Sequence, residues 1–117
     1  MKIQVGHSRD FDFVKELYEP IKKAIFFTDH EFIFPHDGRE VDSKETLKNI
    51  DIFIADVSYP SIWLGMELWF ASLYGKKIIC VYRNWNNISS ALTHVSDILL
   101  PYKNSAEMVE KLQKILN

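Results

Sequence analysis

Glu67 carries the strongest chemical bias in this sequence. It is the only carboxylate between Asp56 and Lys76, and its neighbours at helical spacing are Trp63, Leu64, Phe70 and Ala71. A carboxylate among such groups loses hydration, which costs several kcal/mol unless donors or a counter-charge compensate. The same surroundings raise a carboxyl pKa, a device common to sites that break glycosidic bonds. The alternative is a structural ion pair, with Arg9 as its partner.

Gly6-His7-Ser8-Arg9 follows the first apolar run, where a phosphate or sugar oxygen would meet backbone amides. Ser8 and Arg9 suit a phosphate, the arginine through two parallel donors; the bland alternative is a strand-to-helix turn with a solvated arginine. Asp56 either orients a ligand or, with Ser58, forms the turn before Pro60. Ser61 is positioned to cap a helix, and an N-cap shares its amides with an anion without conflict. His7, His30, His36 and His94 lack metal-ligand spacing and are expected at surfaces or in turns, so no metal site and no cofactor is expected. Cys80, the single cysteine, sits in Ile78-Ile79-Cys80-Val81-Tyr82 and reads as a core side chain, consistent with a reduced, cytoplasmic setting. No nucleophile elbow or Walker-type loop occurs.

These residues need a scaffold, and the pattern of the chain supplies one. Short apolar runs at 3–5, 31–34, 50–57, 77–82 and 98–100 predict strands. Between them lie a helical stripe over 12–25 interrupted by Pro20, a short helix capped by Ser43, and a long apolar helix over 61–74 closed by Gly75. A shorter helix over 88–95 and a last one capped by Ser105 follow, the latter with Met108, Val109, Leu112, Ile115 and Leu116 on one face. The alternation predicts a single α/β domain over 1–117, a doubly wound parallel five-stranded sheet of flavodoxin or Rossmann type, order 2-1-3-4-5, with helices on both faces. Ligands of such sheets bind at the switch point, here after Val5 and after Ala55. With a net charge of -2, a broad basic surface for nucleic-acid polymers is not expected. The charge-poor stretch 57–75 carries Pro60, Gly65, Glu67 and serines, which is too polar for a membrane span, and the chain enters its first strand without a signal segment.

The run Asp51-Ile52-Phe53-Ile54-Ala55-Asp56-Val57-Ser58-Tyr59-Pro60-Ser61-Ile62-Trp63-Leu64-Gly65-Met66-Glu67-Leu68, followed by Ala71, Gly75-Lys76-Lys77 and Cys80-Val81-Tyr82-Arg83, resembles the nucleoside 2-deoxyribosyltransferase superfamily. Within it the 2'-deoxynucleoside 5'-phosphate N-hydrolase branch is the most similar. The resemblance implies that Glu67, in Gly65-Met66-Glu67, is the nucleophile on the anomeric carbon, and that Ser61 and the segment Gly6, His7, Ser8 and Arg9 hold a 5'-phosphate. It further implies a homodimer in which Ser90 reaches into the neighbouring subunit's site. Three positions depart from the family pattern: Ser43 aligns with a catalytic aspartate, leaving Asp42 one residue earlier as the available acid; Ile3 replaces a tyrosine; and Trp63 replaces a glycine.

The chemistry so implied is cleavage of an N-glycosidic bond in a nucleoside or nucleoside 5'-monophosphate, by hydrolysis or base transfer. Glu67 would attack, Asp42 would assist the leaving base or bind sugar hydroxyls, and Arg9, Ser61 and Ser90 would clamp phosphate. The rival reading is a nucleotide-binding or signalling module without turnover, favoured by Ser43 and Trp63. A receiver domain needs paired acids after strand one and a lysine after strand five; those places hold Gly6-His7-Ser8 and Leu100-Pro101-Tyr102.

Overall fold

The computed structural model describes residues 1–36 and 43–116. The apolar runs form five strands, β1 (Lys2–His7), β2 (Glu31–Ile33), β3 (Ile52–Asp56), β4 (Lys77–Arg83) and β5 (Ile98–Tyr102). All neighbours pair in parallel in the order β2-β1-β3-β4-β5. The doubly wound sheet expected from the alternation is therefore present.

Residue alternation along the strands divides the core in two. On one face Ile3, Val5, Ile52, Ile54, Ile79 and Val81 pack against Leu17, Tyr18 and Ile21 and against Met108, Leu112 and Leu116 of α4 (Ser105–Leu116). On the other, Phe53, Ala55, Ile78 and Cys80 pack against Leu47 of α2 (Ser43–Asn49) and against Leu64, Leu68 and Ala71 of α3 (Ile62–Leu73). Removing this apolar surface from water supplies the main drive to fold. No helix among the described residues is long and apolar enough to cross a membrane.

Several expected boundaries shift, each for a local reason. The stripe over 12–25 is a π-helical turn (Val14–Tyr18), then α1 (Glu19–Lys22), then a 3-10 turn (Ile25–Asp29). Pro20 has no N–H to give the Glu16 carbonyl four residues back. That carbonyl instead accepts from the Ser105 hydroxyl at 2.8 Å. Ser105 consequently does not cap α4: Asn104 does, its Oδ1 accepting from the Glu107 amide at 2.9 Å. The segment near 88–95 is a 3-10 turn, Ser90–His94, capped by Ser89. β5 runs through Pro101, which an edge strand tolerates.

Candidate active site

α3 is fixed at both ends by its sequence. Ser61 has an extended backbone and accepts from the Leu64 amide at 3.2 Å, while Gly75, at φ +68°, ends the helix in the left-handed conformation that glycine permits. Glu67 lies on the side of α3 turned towards α2, only 8% exposed. Burial raises its carboxyl pKa, and a hydrogen bond from the Ser43 side chain pulls against that rise. Ser43 was expected as a helix cap; it is the first residue of α2, and its hydroxyl serves the buried acid.

A second group of residues lines a cavity of about 510 Å³ at the carboxyl ends of β1 and β3: Ser8, Arg9, Asp10, His36, Ser61 and Trp63 are among them. Here the switch-point geometry brings together the loop after β1 and the first turn of α3. Arg9 supplies the positive charge, and its Nη2 donates to His36 Nδ1 at 3.3 Å. Asp10 adds one opposing carboxylate at the rim. Pro60 and Ser61 are shared with an adjoining apolar cavity of about 550 Å³ between α3 and the 88–95 segment, where Leu64, Gly65, Leu68, Trp69, Ile88 and Leu92 form the walls.

His7 lines the first cavity but is not the surface histidine its type suggested. It is buried, its ring stacks on Phe13 at 4.1 Å, and its Nδ1 lies 2.6 Å from the Ser8 carbonyl. A carbonyl only accepts, so Nδ1 carries the proton and Nε2 accepts from the Tyr18 hydroxyl, also at 2.6 Å. Burial is the main reason its pKa falls from 6.5 to about 4. The ring is neutral at ordinary pH.

Other expected site residues lie elsewhere. Gly6 is buried beneath Phe53, where an added Cβ would stand 2.5 Å from the ring; its role is close packing, since its backbone does not need positive φ. Asp56 is buried on the α4 face, away from Glu67 and Ser61. Its Oδ2 accepts from Tyr102 Oη at 2.5 Å and its Oδ1 from the Ser58 amide at 2.9 Å, which is the turn role. Gly65 is exposed and borders the apolar cavity, and Ser90 is exposed at the start of its 3-10 turn. Glu67 is absent from the described lining of both cavities. Asp42 lies outside the described residues. The segment 37–42 to which it belongs connects His36, at the first cavity, to Ser43, at Glu67.

No protein-family model and no curated protein sequence matches this chain. Among solved structures it is similar to the CMP N-glycosidase BcmB of Clostridium botulinum, with a TM-score of 0.68 and 21% identity over 97% of this chain and 99% of that one. A conserved protein from Enterococcus faecalis gives 0.68 at 11% identity, covering 98% of each chain. A CheY-like receiver domain protein from Methanospirillum hungatei gives 0.59 at 17%, covering 98% of this chain and 92% of that one. The fold is flavodoxin-like. At these identities the likeness is one of architecture, and chemistry has to be argued from the site.

Sequence reasoning passed over Tyr18 and gave His36 only a surface or turn role, and the turn is where it lies. Tyr18 Oη donates to His7 and accepts from the His36 amide at 3.3 Å, so it ties the loop after β1 to the chain beyond β2. A usable signal existed, because parallel strands gather their carboxyl ends on one edge, and His7 ends β1 while His36 lies just beyond the neighbouring β2.

Proposed function

We propose that the protein cleaves the N-glycosidic bond of a nucleoside 5'-monophosphate, with Glu67 as the nucleophile. The observation that carries the reading is a buried carboxylate of raised pKa, bonded to Ser43, on the same helix whose first residues line a cavity holding Arg9. Glu67 is six residues beyond Ser61, about 9 Å along the helix axis. The fold similarity to a protein named as a CMP N-glycosidase agrees with this substrate class.

In this mechanism a Glu67 carboxylate oxygen bonds to the anomeric carbon as the bond to the base nitrogen breaks. The bonding pair leaves with the base, which takes a proton from Asp42. Water, or a second base, then attacks the anomeric carbon, passes its proton to the Asp42 carboxylate and frees Glu67 as a carboxylate. Arg9, Ser8 and Ser61 hold the phosphate. The Ser43 hydroxyl steadies the ionised carboxylate, which must be charged to attack.

The outer face of α3 supports a homodimer. Ile62, Trp63, Met66, Trp69, Leu73 and Tyr74 are all exposed, Ile62 by 85% and Leu73 by 68%. Their free surface is on the order of 800 Å², the share each partner gives a standard interface. This ridge stands beside the apolar cavity, so two copies can exchange ridge and cavity about a twofold axis, with Ser90 of a second copy approaching the first copy's phosphate. Sedimentation over a range of concentrations tests this; a monomer throughout overturns it.

The activity is tested by incubating the protein with ribo- and deoxyribonucleoside 5'-monophosphates and following free base, alongside Glu67→Ala. Base release lost in the variant is the expected result, and an added second base separates hydrolysis from transfer. A serine rather than an acid beside Glu67 favours one other reading, a nucleotide sensor, which would bind the panel without releasing base.

A further inference from the structure

We propose that His36 is a specificity-determining residue of the cavity beside Arg9, donating from Nε2 to an oxygen of a phosphomonoester while its Nδ1 holds the Arg9 guanidinium in place. This rests on reading that cavity as the phosphate site. Arginine only donates, so the bond between Arg9 Nη2 and His36 Nδ1 fixes Nδ1 as an acceptor. The neutral ring then carries its hydrogen on Nε2, which has no partner among the described residues. Burial and the Arg9 charge both lower the His36 pKa, so this neutral tautomer persists at ordinary pH.

The His36 amide is bound to Tyr18 Oη, which in turn is bound to His7 Nε2, and the two imidazoles lie 5.2 Å apart. The cavity edge carrying His36 is thus pinned to the end of β1 through the buried Tyr18 phenol. Arg9 and His36 face the same cavity as Ser8 and Ser61. A phosphate there meets the guanidinium, the serine hydroxyls and one imidazole N–H. Asp10 lines the same cavity and opposes any anion, so each donor weighs in the balance. An uncharged nucleoside would gain nothing from Arg9 or His36. The pair would therefore select the phosphorylated ligand.

The test measures binding of inorganic phosphate, CMP and cytidine to the wild-type protein and to His36→Ala, His36→Asn, Arg9→Ala and Ser61→Ala. His36→Ala is expected to weaken phosphate and CMP by roughly ten- to a hundredfold, the range for hydrogen bonds to a charged group, and to leave cytidine unchanged. His36→Asn, whose Oδ1 can accept from Arg9 but which offers no donor at the Nε2 position, should recover part of the loss. Long-range nitrogen-proton spectra of the wild type should show a bare Nδ1 and a protonated Nε2 that shifts as phosphate is added. If His36→Ala binds phosphate as the wild type does while Arg9→Ala and Ser61→Ala do not, the inference fails and the phosphate site stands. If none of the variants alters phosphate binding, the site itself is elsewhere and both readings fall.

Discussion

A buried acid kept for chemistry should be a burden to the fold, and Glu67 has the signature of one. Its raised pKa means that the folded chain binds the proton more tightly than the unfolded chain does. The ionised form is therefore unfavourable in the native state near neutrality, and the penalty is relieved as pH falls through the folded value. Glu67→Gln keeps the shape and removes the charge, so its melting temperature should exceed that of the wild type while base release is lost; thermal melts at pH 7 read this directly. The same shift fixes the acid side of the rate profile. Under the proposed mechanism, activity should decline with falling pH at values above the usual glutamate range, because Glu67, the proposed nucleophile, is protonated there. The Ser43 side chain donates a hydrogen bond that lowers this pKa, so Ser43→Ala should move the acid limb of kcat/KM further up. A limb that stays in place in the variant would separate Ser43 from the acid's titration.

Two glycines behave oppositely, and elements rather than residues explain why. Gly6 lies inside β1 under Phe53 and Leu64, with the phenyl ring fully buried and unable to retreat. Gly6→Ala should cost about 1–3 kcal/mol, the usual penalty for overpacking, read as a lower urea midpoint. Gly65 lies on the open face of α3 with nothing within 4 Å of an added Cβ. Gly65→Ala should stabilise the isolated chain by about 1 kcal/mol through helix propensity, and yet weaken self-association if α3 is the interface, which sedimentation detects. The elements themselves were largely legible: alternating apolar runs gave the strands, and Ser61 with Gly75 bounded α3. What the sequence hid were tertiary substitutions of hydrogen bonds. Pro20 announced a break, but the π-helical turn and the Ser105 hydroxyl that replaces its missing donor join positions 89 residues apart, which no local pattern encodes.

At the scale of the molecule, the switch-point rule located the cavity correctly at the loop after β1 and the turn before α3. The composition of the site was harder to read. Asp56 stood at the right strand end, but its side chain falls on the α4 face, because side chains alternate along a strand and one position decides the side. The place of His36 and Tyr18 at the site was not legible, because their link to His7 exists only once β1 and β2 are adjacent. One feature of the sheet offers a probe independent of activity. Cys80 is the chain's single thiol, buried in β4 between β3 and β5, with its pKa pushed up to about 11 by burial. An alkylating reagent reaches it only when the central strands part, so its modification rate counts openings of the native sheet. Labelling should be slow, should quicken with denaturant in step with global unfolding, and should slow further when a bound substrate analogue stabilises the native state. Nature has left one reporter atom at the middle of the fold, and no engineered label is needed to listen to it.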